Sequence, residues 1–304
     1  MHERVELAIE GPLDLAQTMA LIGMSPRDPS FRVVGRDIVG LATNTPLGAA
    51  SARFAHRGAS IVVDAWGDGA EHVLARANTL TGLHDRPLAF APEHRALAAL
   101  VRRFAGLRLS AGADPIETAM HAIFGQRITS DEARQSWWRF ARRYGEAAPG
   151  PLELFTPPRA EIVARLSRDD LFGVGLDLHR SRSLLALARE ADRLRATIDD
   201  VERVTDRLRT LPGIGPWTIG LVRHFAYGDA RAVPLGDWHI GRDICFALSG
   251  EERGSDARML ELLAPFAGNE GRVWRLISAT GIHHPRRAAG RARNPLLGRS
   301  PVRR

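Results

Sequence analysis

The sequence contains no lysine: all 42 of its basic residues are arginine. Without a lysine amine there is no lysine Schiff base and no lysine general base, so chemistry that depends on either is excluded before any motif is read. Cysteine is nearly absent as well. Cys245 stands alone, which by counting removes internal disulfides, four-cysteine zinc sites and four-cysteine iron–sulfur clusters. No apolar run is long enough to span a bilayer. His2, Glu3, Arg4, Glu6 and Glu10 interrupt the first apolar residues, so no signal peptide is visible and a cytoplasmic protein without a membrane partner is expected. One region lacks acids altogether. From Ile282 onward Arg286, Arg287, Arg291, Arg293, Arg299, Arg303 and Arg304 occur with no Asp or Glu, which equals the formal charge of +7 and leaves the rest of the chain neutral. This tail, 282–304, reads as disordered, either holding phosphates by charge or standing as a solvated end.

What is present divides the 304 residues into two parts of different character, each long enough to bury its own core. Over 1–87, short β-type runs (Val5 to Ile9, Phe31 to Val34, Ile38 to Ala42, Ala50 to Ala55, Ser60 to Trp66) are separated by turn signals such as Gly35-Arg36-Asp37. Helical patterns at Leu13 to Ile22 and Ala70 to Leu80 interrupt them, so the fold class is α+β with an antiparallel sheet module first. Over 88–281 strand signals vanish and amphipathic helices succeed one another, with Leu97, Leu100, Val101 and Phe104 on one face and Ala119, Met120 and Ile123 on another. Thr129 with Glu132, Ser167 with Asp170 and Thr197 with Asp200 have the spacing of capping boxes. The stretch from Ala147 to Pro158 is expected as a loop between helices, and of the neighbours Trp137 and Trp138 both are expected to pack, one partly exposed.

The segment richest in information is Leu208-Arg209-Thr210-Leu211-Pro212-Gly213-Ile214-Gly215-Pro216-Trp217-Thr218. It joins two amphipathic helices through a turn with glycines at alternate positions and proline at the first helical position. Bare backbone at Gly213 and Gly215, followed by a helix N-terminus, lets N–H groups approach a phosphate closely; such an anchor positions a protein on DNA without reading bases. A plain helix–helix turn is the alternative. Asp170-Leu171-Phe172-Gly173-Val174-Gly175-Leu176 echoes the turn, as a degenerate copy or a simple connection. Downstream, Val233-Pro234-Leu235-Gly236-Asp237 delivers a carboxylate to a helix start, where it serves as an N-cap or as a reactive group.

Together these residues resemble the helix-hairpin-helix DNA glycosylase superfamily, in the register of the bacterial 3-methyladenine DNA glycosylase II group. Asp114-Pro115-Ile116-Glu117 leading to Gly125-Gln126 resembles the helix that ends near the lesion in that family, and the first module resembles its TATA-binding-protein-like domain. The resemblance implies duplex DNA with a damaged base as partner, a monomer associated with the nucleoid, and a base-excision hydrolase. It implies Asp237 as the catalytic carboxylate, with Trp217, Gln126 and Leu221 in the base pocket. Gly213, Ile214, Gly215, Thr218 and Arg127 are then the DNA contacts, Arg127 standing where the family has a gap-filling wedge. The residues point to no metal site and no cofactor, although the resemblance implies a monovalent cation at the hairpin.

Trp217 stands where lyase-type relatives carry their lysine, so a lysine-free, monofunctional hydrolysis is expected. Leu221 lies where the glycosylase II pattern has an aromatic, and the helix from Val273 to Thr280 lacks an aromatic pair near its end, which keeps an oxidised purine as a rival substrate to an alkylated one. From another class, a non-catalytic DNA-binding protein with Asp237 as a mere cap stays open.

Overall fold

Period-two alternation in the first part builds one antiparallel sheet in the computed structural model, which describes residues 2–285; of the expected tail, 286–304 lies outside the described residues. The strands are β1 (His2–Ala8), β2 (Arg27–Asp28), β3 (Phe31–Val34), β4 (Ile38–Thr45), β5 (Gly48–Arg57) and β6 (Ser60–Trp66), ordered β1-β6-β5-β4-β3-β2. Register sets Val39 opposite Phe54 and Phe54 opposite Val63, so the apolar side chains of neighbouring strands collect on one face. Helices α1 (Leu15–Met19), α2 (Ala70–Ala75) and α3 (Ala77–Leu80) cover that face with Leu15, Met19, Val73 and Ala77. The pattern from Ala70 to Leu80 thus becomes two helices, broken at Arg76, whose φ of −97° and ψ of 0° lie in the sparsely allowed bridge region.

The opposite face is mixed, with buried Ala42 and Ala55 beside charged side chains. Asp64 accepts hydrogen bonds there from Arg4 and Arg53, at 2.6 and 2.7 Å. The loop after Ala147 does more than join helices: Ser51 Oγ donates to Pro149 O, Gly40 lies beneath Leu152 and Leu154, and Phe155 N–H donates to Pro29 O. It straps the sheet to the helical part.

Beyond Pro87, among the described residues, the only β pairing is the isolated bridge Ala147–Phe155. The helices are α4 (Arg95–Arg103), α5 (Pro115–Gly125), α6 (Ser130–Tyr144), α7 (Ala160–Val163), α8 (Arg168–Gly173), α9 (Leu178–Arg195), α10 (Val201–Arg209), α11 (Pro216–Tyr227), α12 (Ile240–Ser249), α13 (Asp256–Leu263) and α14 (Glu270–Thr280). Reciprocal capping boxes form at Thr129–Glu132 and Ser167–Asp170. The third expected box does not. Asp200 is itself the N-cap of α10, accepting from Arg203 N–H, while the Thr197 hydroxyl bonds back to carbonyls at the end of α9.

Apolar side chains of the helices form two clusters. One, supplied by the helices from α5 to α11, includes Met120, Ile123, Phe124, Trp137, Phe140, Ile214, Ile219 and Val222. The other joins α4 to α12, α13 and α14 through Leu97, Val101, Ile244, Cys245, Met259 and Trp274. Trp137 is buried and its neighbour Trp138 exposed. Helix α11 serves both clusters, burying Ile219 and Val222 in the first and packing Leu221 and Phe225 against the second. The sheet module docks through buried polar contacts. Glu117 of α5 accepts from Thr43 Oγ1 and Asn44 N–H at 2.8 and 3.0 Å, and Arg272 of α14 pairs with Asp85 at 2.6 Å. Burial, with the Asp114 carboxylate nearby, pushes the Glu117 carboxyl up to about 8.

Candidate active site

The turn between α10 and α11 is held from below by Leu208, Leu211 and Ile214, all buried in the first cluster. Gly213 adopts φ of 75°, and a Cβ there would run into Ser183 Oγ of α9, so the position demands glycine twice over. Gly215 faces open space and is the N-cap of α11 with no side-chain cap bond, followed by Pro216 at the first helical position. A helix start that no side chain caps presents its N–H groups and positive dipole end outward, which suits an anion. Two of the expected DNA contacts are turned inward. Ile214 is packed in the core with its N–H given to Leu211 O, and Thr218 is buried with its hydroxyl accepting from Gln126.

One turn of α11 brings Trp217 to Asp237. The indole Nε1 donates to Asp237 Oδ2 at 2.8 Å, while Oδ1 accepts from the N–H groups of His239 and Ile240 at 2.7 and 2.9 Å. Asp237 therefore caps the start of α12 with one oxygen and keeps the other toward Trp217; three donors fix its plane. The loop bearing it runs unusually close to α11, because a Cβ on Gly220 would meet Pro234 Cα and Val233 O at 2.7 Å. Asp256 of α13 secures the same loop, accepting from Gly236 N–H at 2.6 Å. Neither Gly220 nor Asp256 was singled out in the sequence. A glycine inside a helix pattern was the visible signal for the first; nothing local marks the second.

The C-terminus of α5 forms the facing wall. A Cβ on Gly125 would sit 3.3 Å from Trp217 Cη2. Gln126 is buried and donates from Nε2 to Gly213 O and Thr218 Oγ1, at 2.9 and 3.0 Å, so it ties α5 to the hairpin. Its Oε1 is buried with no hydrogen-bond partner. Arg127 follows, exposed, at φ of 61°, a left-handed conformation unusual for a residue with a side chain. Behind this wall Arg180 is buried and donates to Phe124 O and Gly175 O while pairing with Asp177. That same Asp177 caps α9, so the second Gly-x-Gly turn already carries a carboxylate at its helix start and works as a helix connection.

Leu221 is half-buried and packs on the second cluster, where Trp274 of α14 lies beside Phe225 and His224. Trp238, next to the carboxylate, is 70% exposed, with the Arg242 guanidinium 3.9 Å above its ring. Of the expected residues, Trp217 meets Asp237 and Gln126 meets Gly213 and Thr218, with Gly125 against Trp217, whereas Leu221 packs on the second cluster and Ile214 in the first. Among the described residues no group of three or more His, Cys, Asp or Glu side chains is arranged to hold a metal ion. No helix there is long and apolar enough to cross a membrane.

No protein-family model matches the chain. Over 147 residues it is 28% identical to a Mycobacterium tuberculosis protein named as a probable bifunctional transcriptional activator/DNA repair enzyme AlkA, a match covering 46% of this chain and 29% of that protein. Over 146 residues it is 24% identical to YfjP of Bacillus subtilis, a putative DNA-3-methyladenine glycosylase, covering 46% of this chain and 50% of the relative. The chain spans half or less of the length of these curated relatives. A 3-methyladenine DNA glycosylase from Archaeoglobus fulgidus has the same fold, with a TM-score of 0.76 over 90% of this chain and 97% of the other at 18% identity. An 8-oxoguanine glycosylase/lyase from Clostridium acetobutylicum follows at 0.69, covering 91% and 95% at 12% identity. The resemblance to DNA glycosylases read from the sequence is borne out by the names of the sequence relatives, and the fold is that of solved glycosylase structures.

Proposed function

We propose that this chain, folded as the helix-hairpin-helix DNA glycosylases are, is a monofunctional DNA glycosylase that extrudes a damaged, N-alkylated purine from duplex DNA and hydrolyses its N-glycosidic bond. The observation that carries the reading is the Asp237 carboxylate, held by three N–H donors between the uncapped hairpin and the end of α5. A base stacked in duplex DNA is out of reach, so the nucleotide must leave the helix. The open start of α11 at Gly215 receives a phosphate, and Arg127, exposed and already in a strained backbone conformation, fills the vacated gap with its planar guanidinium. The N-terminal sheet module is the counterpart of the family's TATA-binding-protein-like domain.

As the bond from C1′ to the base nitrogen breaks, its electron pair leaves with the base and positive charge develops on the sugar. Asp237 stabilises that charge and accepts the proton of the water whose oxygen bonds to C1′. An N-alkylated purine already bears a positive charge and departs neutral, so no strong general acid is required. The second carboxylate near the loop, Asp256, is engaged with Gly236 N–H. Since the sequence has no lysine, no lysine Schiff base follows base release. For the cation implied at the hairpin, the carbonyls of Leu208, Leu211 and Gly213 each accept a hydrogen bond and keep a second lone pair; the chemistry above does not depend on it.

Leu221, an aliphatic residue at an expected aromatic position of the pocket, favours one second reading, an oxidised purine as substrate. The two are separated by incubating the protein with DNA treated with a methylating agent, and with DNA carrying 8-oxoguanine, and identifying released bases by mass spectrometry. Release of methylated purines by the wild type and not by Asp237→Asn supports the first reading; release of only the oxidised base supports the second. No release from either substrate overturns both.

A further inference from the structure

We propose that a monatomic anion, chloride under ordinary conditions, occupies a small cavity where α1, the stretch 108–110, α11 and α14 meet, held by the Arg275 guanidinium and the His224 imidazole. The inference is independent of which base, if any, the protein releases.

The cavity has room for a water-sized sphere and is lined by Thr18, Arg108, Ser110, His224, Phe225 and Arg275 with apolar neighbours; no carboxylate lines it. Its five polar residues are each less than one-tenth exposed. Arg275 of α14 has one hydrogen bond among the described residues, from Nη2 to Gln17 O at 2.5 Å. Asp14 attracts it only from a distance, because the Asp14 oxygens accept from the backbone and side-chain N–H groups of Gln17. Burial lowers the guanidinium to about 10, so it is still charged at neutral pH. Arg108 is bonded to the backbone carbonyls of Glu10 and Pro12. Two positive charges thus border the cavity with no negative one in its wall.

His224 of α11 is the second unmet group. Both of its ring nitrogens are buried without a hydrogen-bond partner. Nδ1 lies against α14, where a Cβ on Gly271 would stand 3.0 Å from it, which leaves Nε2 as the nitrogen for a ligand. Burial, followed by the Arg275 charge, pushes the imidazole down to about 3, so it is neutral and carries one N–H to donate.

A charge withdrawn from water without a partner is costly, and an unmade hydrogen bond at a buried N–H adds to that cost. A water molecule answers the imidazole and leaves the guanidinium charge unmet. One small anion answers both. The site also lies where the packing units join: α1 belongs to the sheet module, α11 to both helical clusters and α14 to the second. The anion therefore fastens the end of α11 opposite Trp217 to the other two units.

The test follows thermal unfolding of the full chain at fixed ionic strength while gluconate, too bulky for the cavity, is exchanged for chloride. The melting temperature of the wild type should rise by about 2–5 °C as chloride goes from ~1 to ~300 mM, for a dissociation constant on the order of 10 mM. Arg275→Met keeps the bulk of the side chain and removes its charge, so its melts should not respond to the exchange. Wild-type crystals grown in bromide should show an anomalous-scattering peak between Arg275 and His224, a readout that stands even where Arg275→Met does not fold. A wild type indifferent to chloride overturns the proposal, leaving water in the cavity, and a bromide peak without that response is binding at crystal concentration only. An equal response in Arg275→Met, or no bromide peak, overturns it as well.

Discussion

Asp237 divides its two carboxylate oxygens between different neighbours. In the sequence a helix cap and a reactive group were alternatives for this side chain; in the structure Oδ1 accepts from the α12 backbone and Oδ2 from the Trp217 indole, so the cap leaves Oδ2 for the role proposed above. Asp237→Asn can keep the cap through its amide oxygen but turns an N–H₂ group toward the indole donor. The variant is expected to fold, to bind DNA within about threefold of wild type, and to lose base release by on the order of 10²- to 10³-fold, measured in single turnover. Trp217→Phe removes the donor to Asp237 together with the outer ring edge that faces Gly125. Its expected effect is roughly tenfold on the single-turnover rate with little change in DNA affinity, the signature of a loosened supporting group rather than a lost contact.

At the scale of elements, the hairpin and the Asp237 loop depend on backbones that approach closely. Gly213→Ala meets both a left-handed φ and Ser183, and should cost about 1–3 kcal/mol of stability, read in denaturant melts. Gly215→Ala meets open space, so its melt should match wild type while its DNA affinity falls, because the new methyl group stands where a phosphate must approach. Gly220→Ala pushes the 233–237 loop away from α11, and slower base release is expected even where the protein stays folded. Strands β3 and β6 were legible to the residue, since alternation and flanking turns are local signals. The capping boxes of α6 and α8 were legible too, and α5 to within one residue at each end. The Thr197–Asp200 pair was misread because both residues have capping chemistry and spacing alone does not say which of them the chain end of α9 will claim. The strap formed by 147–158 was invisible for a different reason: its partners Ser51, Gly40 and Pro29 are set by sheet register, which a linear pattern does not contain. In the site, the identities of Trp217 and Asp237 were readable from the motif, whereas the bond between them, and the support from Gly220 and Asp256, are products of packing.

Across the whole molecule, the sheet module and the helices meet at Glu117, whose carboxyl is pushed up to about 8 by burial and the Asp114 carboxylate. A carboxyl raised on folding favours the protonated native state. Its contribution is fully present below the unfolded value near 4.5 and is lost as pH rises through about 8. Thermal melts of the wild type should therefore lose a few degrees between pH 7 and 9, and Glu117→Gln should flatten that slope; an identical slope in both would remove Glu117 as its cause. The lobe that bears Asp237 is also assembled from segments far apart in the chain, α4 on one side of the α5–α11 lobe and α12 to α14 on the other. Contacts between such distant segments wait on closure of a long loop, whereas the α5–α11 lobe is built from neighbours in sequence. During synthesis and refolding, the α10–α11 turn is then expected to form before Asp237 is in place, so that, on the proposed function, the anchor for a phosphate precedes the carboxylate that acts on the sugar.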